Sequence, residues 1–139
     1  MKTNHIYIVP MLNVDGYKYI SDNWSDIKDV DSTDTTRRKN LNNSECSNGT
    51  YGVDLGKNFS YQWGFNISGS SGEPCHPSYR GTEAFSEPET RGLRDLALSL
   101  NVSLYMSYGS GDSHYVIPNS YDNDLDYDGP RGWFYHDIK

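Results

Sequence analysis

The side chains best placed for chemistry in this sequence lie in the run Met106-Ser107-Tyr108-Gly109, at the end of a predicted strand. Ligands of open α/β sheets bind beyond the carboxyl ends of the strands, so this run is a candidate site. Tyr108 would offer a hydroxyl donor there, and Met106 would form an apolar plug. The structural alternative places Met106 in the core and Tyr108 at its rim.

A second candidate is the acidic run Asp124-Leu125-Asp126-Tyr127-Asp128-Gly129, whose spacing fits the start of an EF-hand calcium loop. Position 12 of such a loop would be Tyr135 instead of a glutamate, and Pro130 and Gly132 do not suit a flanking helix. We therefore interpret the run as a solvated acidic tail. A calcium-binding surface module is the weaker hypothesis.

Two cysteines, Cys46 and Cys75, could close a loop of about 30 residues or remain as free buried thiols. If bridged, they would stabilise the fold by roughly 3.5 kcal/mol in the chain-entropy model. Six Asn-X-Ser/Thr sequons, against about two expected by chance, indicate a secreted, glycosylated lineage in which a disulfide persists. The sequons begin at Asn23, Asn42, Asn48, Asn58, Asn66 and Asn101. We expect an extracellular protein, although no signal peptide is visible in this chain.

The elements that must position these residues follow from the hydrophobic pattern. Residues 6–12 are predicted to form a buried strand, with its later half at a sheet edge because Pro10 cannot donate to the ladder. Asn13-Val14-Asp15-Gly16 is typical of a turn. Residues 18–50 are polar and without a steady period, which predicts a long loop.

The clearest helix is predicted to begin after Ser86, with Glu89 completing a capping box and Pro88 in the first turn. An apolar stripe at helical spacing runs to a predicted end near residues 99–101, and its members are Leu93, Leu96, Ala97 and Leu100. Residues 102–108 follow as a strand. The order strand, loop, helix, strand predicts an α/β fold.

Composition limits the possible functions. The 139 residues suffice for one domain, but Leu, Ile, Val and Phe number only 26, so we expect a partial core to which twelve tyrosines contribute. A net charge of −7 argues against nucleic-acid binding. No apolar run is long enough for a membrane span. We assign residues 1–118 to a partial domain and residues 119–139 to a divergent acidic tail.

Three stretches, taken in order, resemble the middle of a zinc metallocarboxypeptidase of the carboxypeptidase A/B type. They are Arg37-Arg38-Lys39-Asn40, residues 52–58 and residues 79–90. The resemblance covers about residues 6–118. It implies the α/β/α domain of that family, of which this chain would form a partial mixed sheet with helices.

The resemblance also implies roles for individual residues. Arg38 matches the family arginine that polarises the scissile carbonyl and stabilises the oxyanion, although a surface arginine is the alternative. The family motif Val-Asp-X-Asn-Arg-Asn supplies an Asn-Arg pair that clamps the C-terminal carboxylate of the substrate. Gly56 here lacks the amide, and Lys57 keeps the charge without the planar fork, so we expect weakened substrate recognition.

The metal-binding part of the resemblance is the most altered. Asp54 matches a carboxylate that orients a zinc-ligating histidine, and Tyr108 matches the tyrosine of a His-Ser-Tyr strand. Met106 stands where that strand has its histidine ligand, and a thioether is a poor zinc ligand. The sequence contains no His-X-X-Glu motif, and it ends before the catalytic glutamate of the family. Cys46 and Cys75 fall where the family often has a disulfide.

The implied lineage is zinc-dependent removal of C-terminal residues. Because ligands and general base are missing, we expect a truncated homologue that binds no zinc and is inactive as this chain. The alternative is a non-catalytic homologue that binds peptide or protein C-termini through a remnant cleft around Arg38, Lys57 and Tyr108. Neither nucleic acids nor membranes are expected partners.

Overall fold

The computed structural model describes residues 5–24, 38–44, 46, 51–65 and 69–108. Its regular elements there are helix α1 (Val14–Asp22), a 3-10 turn (Leu55–Lys57) and helix α2 (Pro88–Leu100). No helix within these ranges combines the length and apolar character that crossing a membrane requires. The predicted tail, the calcium-loop candidate and the boundary at residue 118 lie outside the described residues.

Helix α1 begins where a turn was predicted, so that prediction is wrong. The Asn13 side chain accepts a hydrogen bond from the Gly16 N–H at 2.9 Å and caps the helix. Asparagine opens both turns and helices, and the residues that follow decide between them. Lys18 and Asp22 pair at i,i+4 on the exposed face, inside the segment predicted as loop.

Helix α2 confirms the predicted helix in position and length. Pro88 lies in its first turn, and Asn101 ends it in the left-handed conformation at φ 48° and ψ 54°. The predicted capping box is wrong, because the N-cap is Glu87 and it makes no side-chain capping bond. The Ser86 hydroxyl instead donates to Glu87 Oε1 at 2.7 Å.

The predicted sheet is not confirmed in the described part of the chain. Two isolated bridges, Lys39 with Asp54 and Ser71 with Tyr79, are the extended pairings found there. Residues 6–12 and 102–108 form no strand, and their apolar side chains are largely exposed, with Ile6 at 87%. A strand needs a neighbour for its backbone hydrogen bonds, and the described residues do not provide one for either segment.

Three segments around residues 39, 54 and 79 lie side by side and form the buried centre. Asn40 N–H donates to the Val53 carbonyl at 3.0 Å, and Asp54 N–H donates to the Tyr79 carbonyl at 2.8 Å. Most of the buried residues here are polar. They are Val53, Leu55 and Tyr79 together with Lys39, Asn40, Asp54, Asn58, Glu87 and Thr90. Such a core depends on satisfied hydrogen bonds more than on apolar area.

The side chain of Asn58 joins this centre to the start of α2. It has no exposed surface. Its Nδ2 donates to the carbonyls of Arg80 and Glu83 at 2.9 and 3.1 Å and to Ser86 Oγ at 2.8 Å. Its Oδ1 accepts from the Glu87 N–H at 3.2 Å and from Thr90 Oγ1 at 2.6 Å. The amide therefore replaces water for backbone groups that would otherwise be buried without partners.

Gly81 makes this arrangement of Asn58 possible. Its φ of 86° lies in the left-handed region, which disfavours residues with a side chain. A Cβ at this position would also collide with Ser86 Oγ and Asn58 Nδ2. The turn after residue 80 can therefore approach the Asn58 amide only with glycine at position 81.

A disulfide joins Cys46 to Cys75, which confirms the bridged alternative over free thiols. Lys39 Nζ donates to the carbonyls of Pro74 and His76, on either side of Cys75, at 2.8 and 3.2 Å. The bridge and the buried lysine thus hold the same loop. A loop of this length corresponds to a stabilisation of about 3.5 kcal/mol.

Replacing Asn58 with alanine should reduce the free energy of unfolding by at least about 3 kcal/mol, because several buried groups lose their partners together. Urea unfolding followed by tryptophan fluorescence measures this loss. The matched control is Ser60→Ala, an exposed position two residues away that should leave the midpoint unchanged. A loss below about 1 kcal/mol for Asn58→Ala would show that water satisfies the freed groups.

Candidate functional site

The buried carboxylate of Asp54 is the fixed point of the candidate site. Its backbone is held by the bridge to Lys39, and its Oδ1 accepts from the Gly56 N–H at 3.1 Å as it caps the 3-10 turn. Its Oδ2 has no hydrogen-bond partner within the described part of the chain. A rigid carboxylate with one free oxygen can orient a cation or a donor placed beside it.

Arg38 is the cation beside that oxygen. Its Nε lies 3.8 Å from Asp54 Oδ2, and the arginine side chain is 61% exposed. Its backbone carbonyl accepts from Asn13 Nδ2 at 2.9 Å, so the cap of α1 also fixes the strand-like segment that carries Arg38. A positive charge is therefore held at the surface by a buried negative one.

Lys57 adds a second cation near the same carboxylate. Burial raises the pKa of the Asp54 carboxyl above its ordinary value, while the charges of Arg38 and Lys57 and the Gly56 N–H oppose that shift. Because burial is the largest of these effects, the ionised carboxylate is retained at some cost in stability. We call Arg38, Asp54 and Lys57 the cation cluster.

Gly56 lies in the 3-10 turn at the edge of the cation cluster and is exposed. A Cβ there would lie 3.3 Å from Asp54 Oδ1, so a larger residue fits after a small adjustment. The cluster can attract anions and polarise carbonyl oxygens, because its two cations outnumber its one carboxylate. Glycine leaves it without an amide donor at this edge.

Tyr108 and Met106 are 89% and 62% exposed, and no hydrogen bond or ion pair joins them to the cation cluster among the described residues. The role of Tyr108 in substrate binding, like the roles of Arg38, Lys57 and Asp54, stays a prediction. The apolar plug proposed for Met106 is not formed by the residues that the structure describes.

Zinc does not fit the described residues. They contain no group of three or more His, Cys, Asp or Glu side chains that could hold a metal ion. The free Oδ2 of Asp54 suits the orientation of a ligand better than direct coordination by a full ligand set.

Several residues that support the site had no separate signal in the sequence. Asn40 Oδ1 accepts from the Val53 N–H at 2.9 Å, and its Nδ2 donates to the buried Glu87 at 2.7 Å. Lys39 and Asn58 are similarly buried. Asn40 and Asn58 stand inside the motif stretches, so the motifs themselves were the available signal.

Comparison with known families gives one match that spans most of the chain. A family model described as zinc carboxypeptidase matches residues 1–132. The match includes residues 119–132, which belong to the predicted acidic tail.

The chain is also similar to individual proteins. The chain is similar to carboxypeptidase B of Helicoverpa zea, with 35% identity over 120 residues, which are 85% of this chain and 26% of that protein. It is 38% identical over 88 residues to a Schizosaccharomyces pombe protein described as an inactive metallocarboxypeptidase, covering 63% of this chain and 14% of that one. Carboxypeptidase A from Helicoverpa armigera matches structurally with a TM-score of 0.49 and 32% identity, over 66% of this chain and 19% of its own. The chain thus spans about a quarter or less of the length of these relatives.

Asp54→Asn should stabilise the protein at neutral pH, because the amide keeps the bond from Gly56 and removes a buried charge. The raised pKa in the folded state means that the carboxyl ionises first in the unfolded chain as the pH rises above 3.8. The advantage of the variant should therefore be absent at low pH, grow as the pH rises from there, and level off once the folded carboxyl is also ionised. Urea unfolding across this pH range measures it.

The matched control for Asp54→Asn is Asp95→Asn, at an exposed carboxyl on α2, which reports the effect of the amide replacement itself. A loss of stability in Asp54→Asn at neutral pH would contradict the expectation. It would show that attraction to Arg38 and Lys57 outweighs the cost of burial.

Proposed function

The chain belongs to the zinc carboxypeptidase family and is metallocarboxypeptidase-like, and from this premise we propose that it binds the C-terminal end of a peptide at the cation cluster. The fold places the two cations of this cluster beside a buried carboxylate near the surface. Its ligand would be a peptide or protein with a free C-terminus. We propose the same class of ligand for the whole protein.

The observation that carries this proposal is the exposed guanidinium of Arg38 fixed over the buried Asp54. A carbonyl oxygen gains most from a donor whose position is set before the ligand arrives, since little reorganisation is then needed. The Asn13 bond fixes the backbone of Arg38, and the ion pair with Asp54 draws its guanidinium to one side. Arg38 would accordingly receive the carbonyl of the last peptide bond.

Lys57 would receive the C-terminal carboxylate. It is half-buried on the turn that Asp54 caps, so its stem is held while its charge remains available. A lysine binds a carboxylate as a point charge, without the two parallel bonds that an arginine forms. With glycine at position 56, the carboxylate would also lack an amide donor. The proposed affinity for a free C-terminus is therefore modest.

We propose that this chain by itself does not hydrolyse the bound peptide. Its described residues offer no metal-binding group, and its sequence has Met106 at the family ligand position and no His-X-X-Glu motif. Binding of zinc would require ligands other than the described residues. The matched segments make up only 26% and 14% of two of its relatives.

A second candidate is a homologue for which binding is the whole function. It is favoured by the replacements at Met106 and Gly56 together with a relative described as inactive. In both candidates the cation cluster binds the same chemical group. They differ in whether a metal site completes the function.

We also propose that the protein functions in an oxidising, extracellular or secretory environment. The Cys46–Cys75 disulfide supports this, since such bonds persist there and are reduced in the cytosol. The six sequons of the chain point the same way.

Binding and hydrolysis can be tested in one titration. A peptide with a free C-terminus should bind about fivefold or more tightly than its C-terminal amide, by calorimetry, since only the free form offers a carboxylate to Lys57. Arg38→Ala should weaken the binding of both peptides, because both contain the carbonyl of the last peptide bond that Arg38 is proposed to contact. Lys18→Ala, which removes an exposed cation on α1, is the matched control and should change neither.

Mass spectrometry of the same titration, with zinc added, should show no shortened peptide. Equal binding of acid and amide would remove the carboxylate part of the proposal. A product whose formation stops with a chelator would overturn the absence of hydrolysis.

Restoring the family's carboxylate clamp should raise affinity. The double variant Gly56→Asn with Lys57→Arg adds an amide donor and a planar fork, and should bind the free C-terminus about tenfold more tightly. The amidated peptide should gain nothing and serves as the control ligand. An equal gain for both peptides would mean that the two positions do not face the C-terminal carboxylate.

A further inference from the structure

Four of the six sequons begin at residues that the structure describes, and the asparagine amides differ sharply among them. They are Asn23, Asn42, Asn58 and Asn101. An N-linked glycan is bulky and attaches to the amide nitrogen, so an acceptor needs an exposed side chain whose nitrogen is not committed to the fold. This requirement ranks the four sites.

Asn58 is unsuitable despite its intact sequon. Its side chain has no exposed surface, and its nitrogen faces three acceptors within the fold. A sugar on Nδ2 would have to occupy the space of the Arg80 and Glu83 carbonyls. A chain glycosylated at Asn58 could not form the contacts that join the centre to α2.

Asn42 and Asn23 have committed nitrogens as well. Asn42 Nδ2 donates at 2.8 Å to a carboxylate oxygen of Glu87, whose side chain is buried. Asn23 Nδ2 donates at 2.8 Å to the Tyr19 carbonyl at the end of α1. A glycan replaces one of the two hydrogens on this nitrogen, so at either position the remaining N–H would have to keep the bond while the sugar points away from the acceptor.

Asn101 differs from all three in its amide. Like Asn42 it is exposed, but the structure gives its side chain no hydrogen bond within the described residues. Its contribution to α2 comes from the backbone, whose N–H donates toward the Ala97 and Leu98 carbonyls. The next two sequon residues, Val102 and Ser103, are exposed and lie outside regular structure, so the tripeptide is accessible in the folded chain.

We infer that Asn101 is an N-glycosylation site, placed at the C-terminal end of α2, and that Asn58 is not one. The inference rests on the proposed passage through the secretory pathway and not on peptide binding. A failure here would therefore leave the proposed function untouched, and a failure of peptide binding would leave this site untouched.

The test expresses the full chain in insect cells behind a signal peptide. Peptide N-glycosidase in heavy-oxygen water converts each formerly glycosylated asparagine to labelled aspartate, and peptide mass spectrometry locates the label. We expect label at Asn101 and none at Asn58. The matched comparison uses two variants, Ser103→Ala and Ser60→Ala. Each removes one sequon and leaves its asparagine unchanged.

Ser103→Ala should lose the mass of one glycan, and Ser60→Ala should lose none. Two results would overturn the inference. One is a protein whose Asn101 carries no label, whether or not other sequons do. The other is an equal glycan mass for Ser103→Ala and the parent chain. Label at Asn58 in protein that resists proteolysis as the parent does would overturn the exclusion of Asn58.

Discussion

The described fold depends on the hydrogen bonds of one buried amide, that of Asn58. Few apolar side chains are buried near it, so the usual contribution of hydrophobic burial is small at this point. The amide brings together the 3-10 turn, the segment ending at Ser86 and the first turn of α2. Because a buried donor or acceptor without a partner is costly, these segments can pack only in the arrangement that satisfies it. The arrangement also requires glycine at position 81, because a side chain there would collide with Asn58 and Ser86.

The same polar centre explains how charge is displayed at the surface. Asp54 is buried by the packing of residues 39, 54 and 79, and burial alone would favour its neutral form. Arg38 and Lys57 oppose this effect, and the carboxylate in turn restricts the arginine. The buried charge of Asp54 therefore lowers the stability of the fold, while the same charge positions the cations of the cluster. Perturbed pKa values of this kind occur at functional sites and also in structural ion-pair networks.

Membership in the zinc carboxypeptidase family divides the chain's residues into two groups. The motif residues that stabilise structure, such as Asn40, Asn58 and Glu87, are buried and fully engaged. Gly56 and Met106, which the resemblance predicts to stand at the carboxylate clamp and at a ligand position, are exposed. Substitutions at exposed positions usually cost little stability, so these two positions can vary without loss of the described fold.

The sequence by itself determined what local signals encode. Helix α2 follows from Pro88 and an apolar stripe within one segment, and the family follows from motifs at fixed spacing. Tertiary structure decided what depends on distant partners. Asn13 caps a helix instead of opening a turn, Cys46 reaches Cys75, and residues 6–12 and 102–108 form no strand without neighbours to pair with. Asn58 and Asn101 carry the same sequon, and only the packing around each determines that one amide is buried and the other exposed, because burial is set by segments that a tripeptide does not contain.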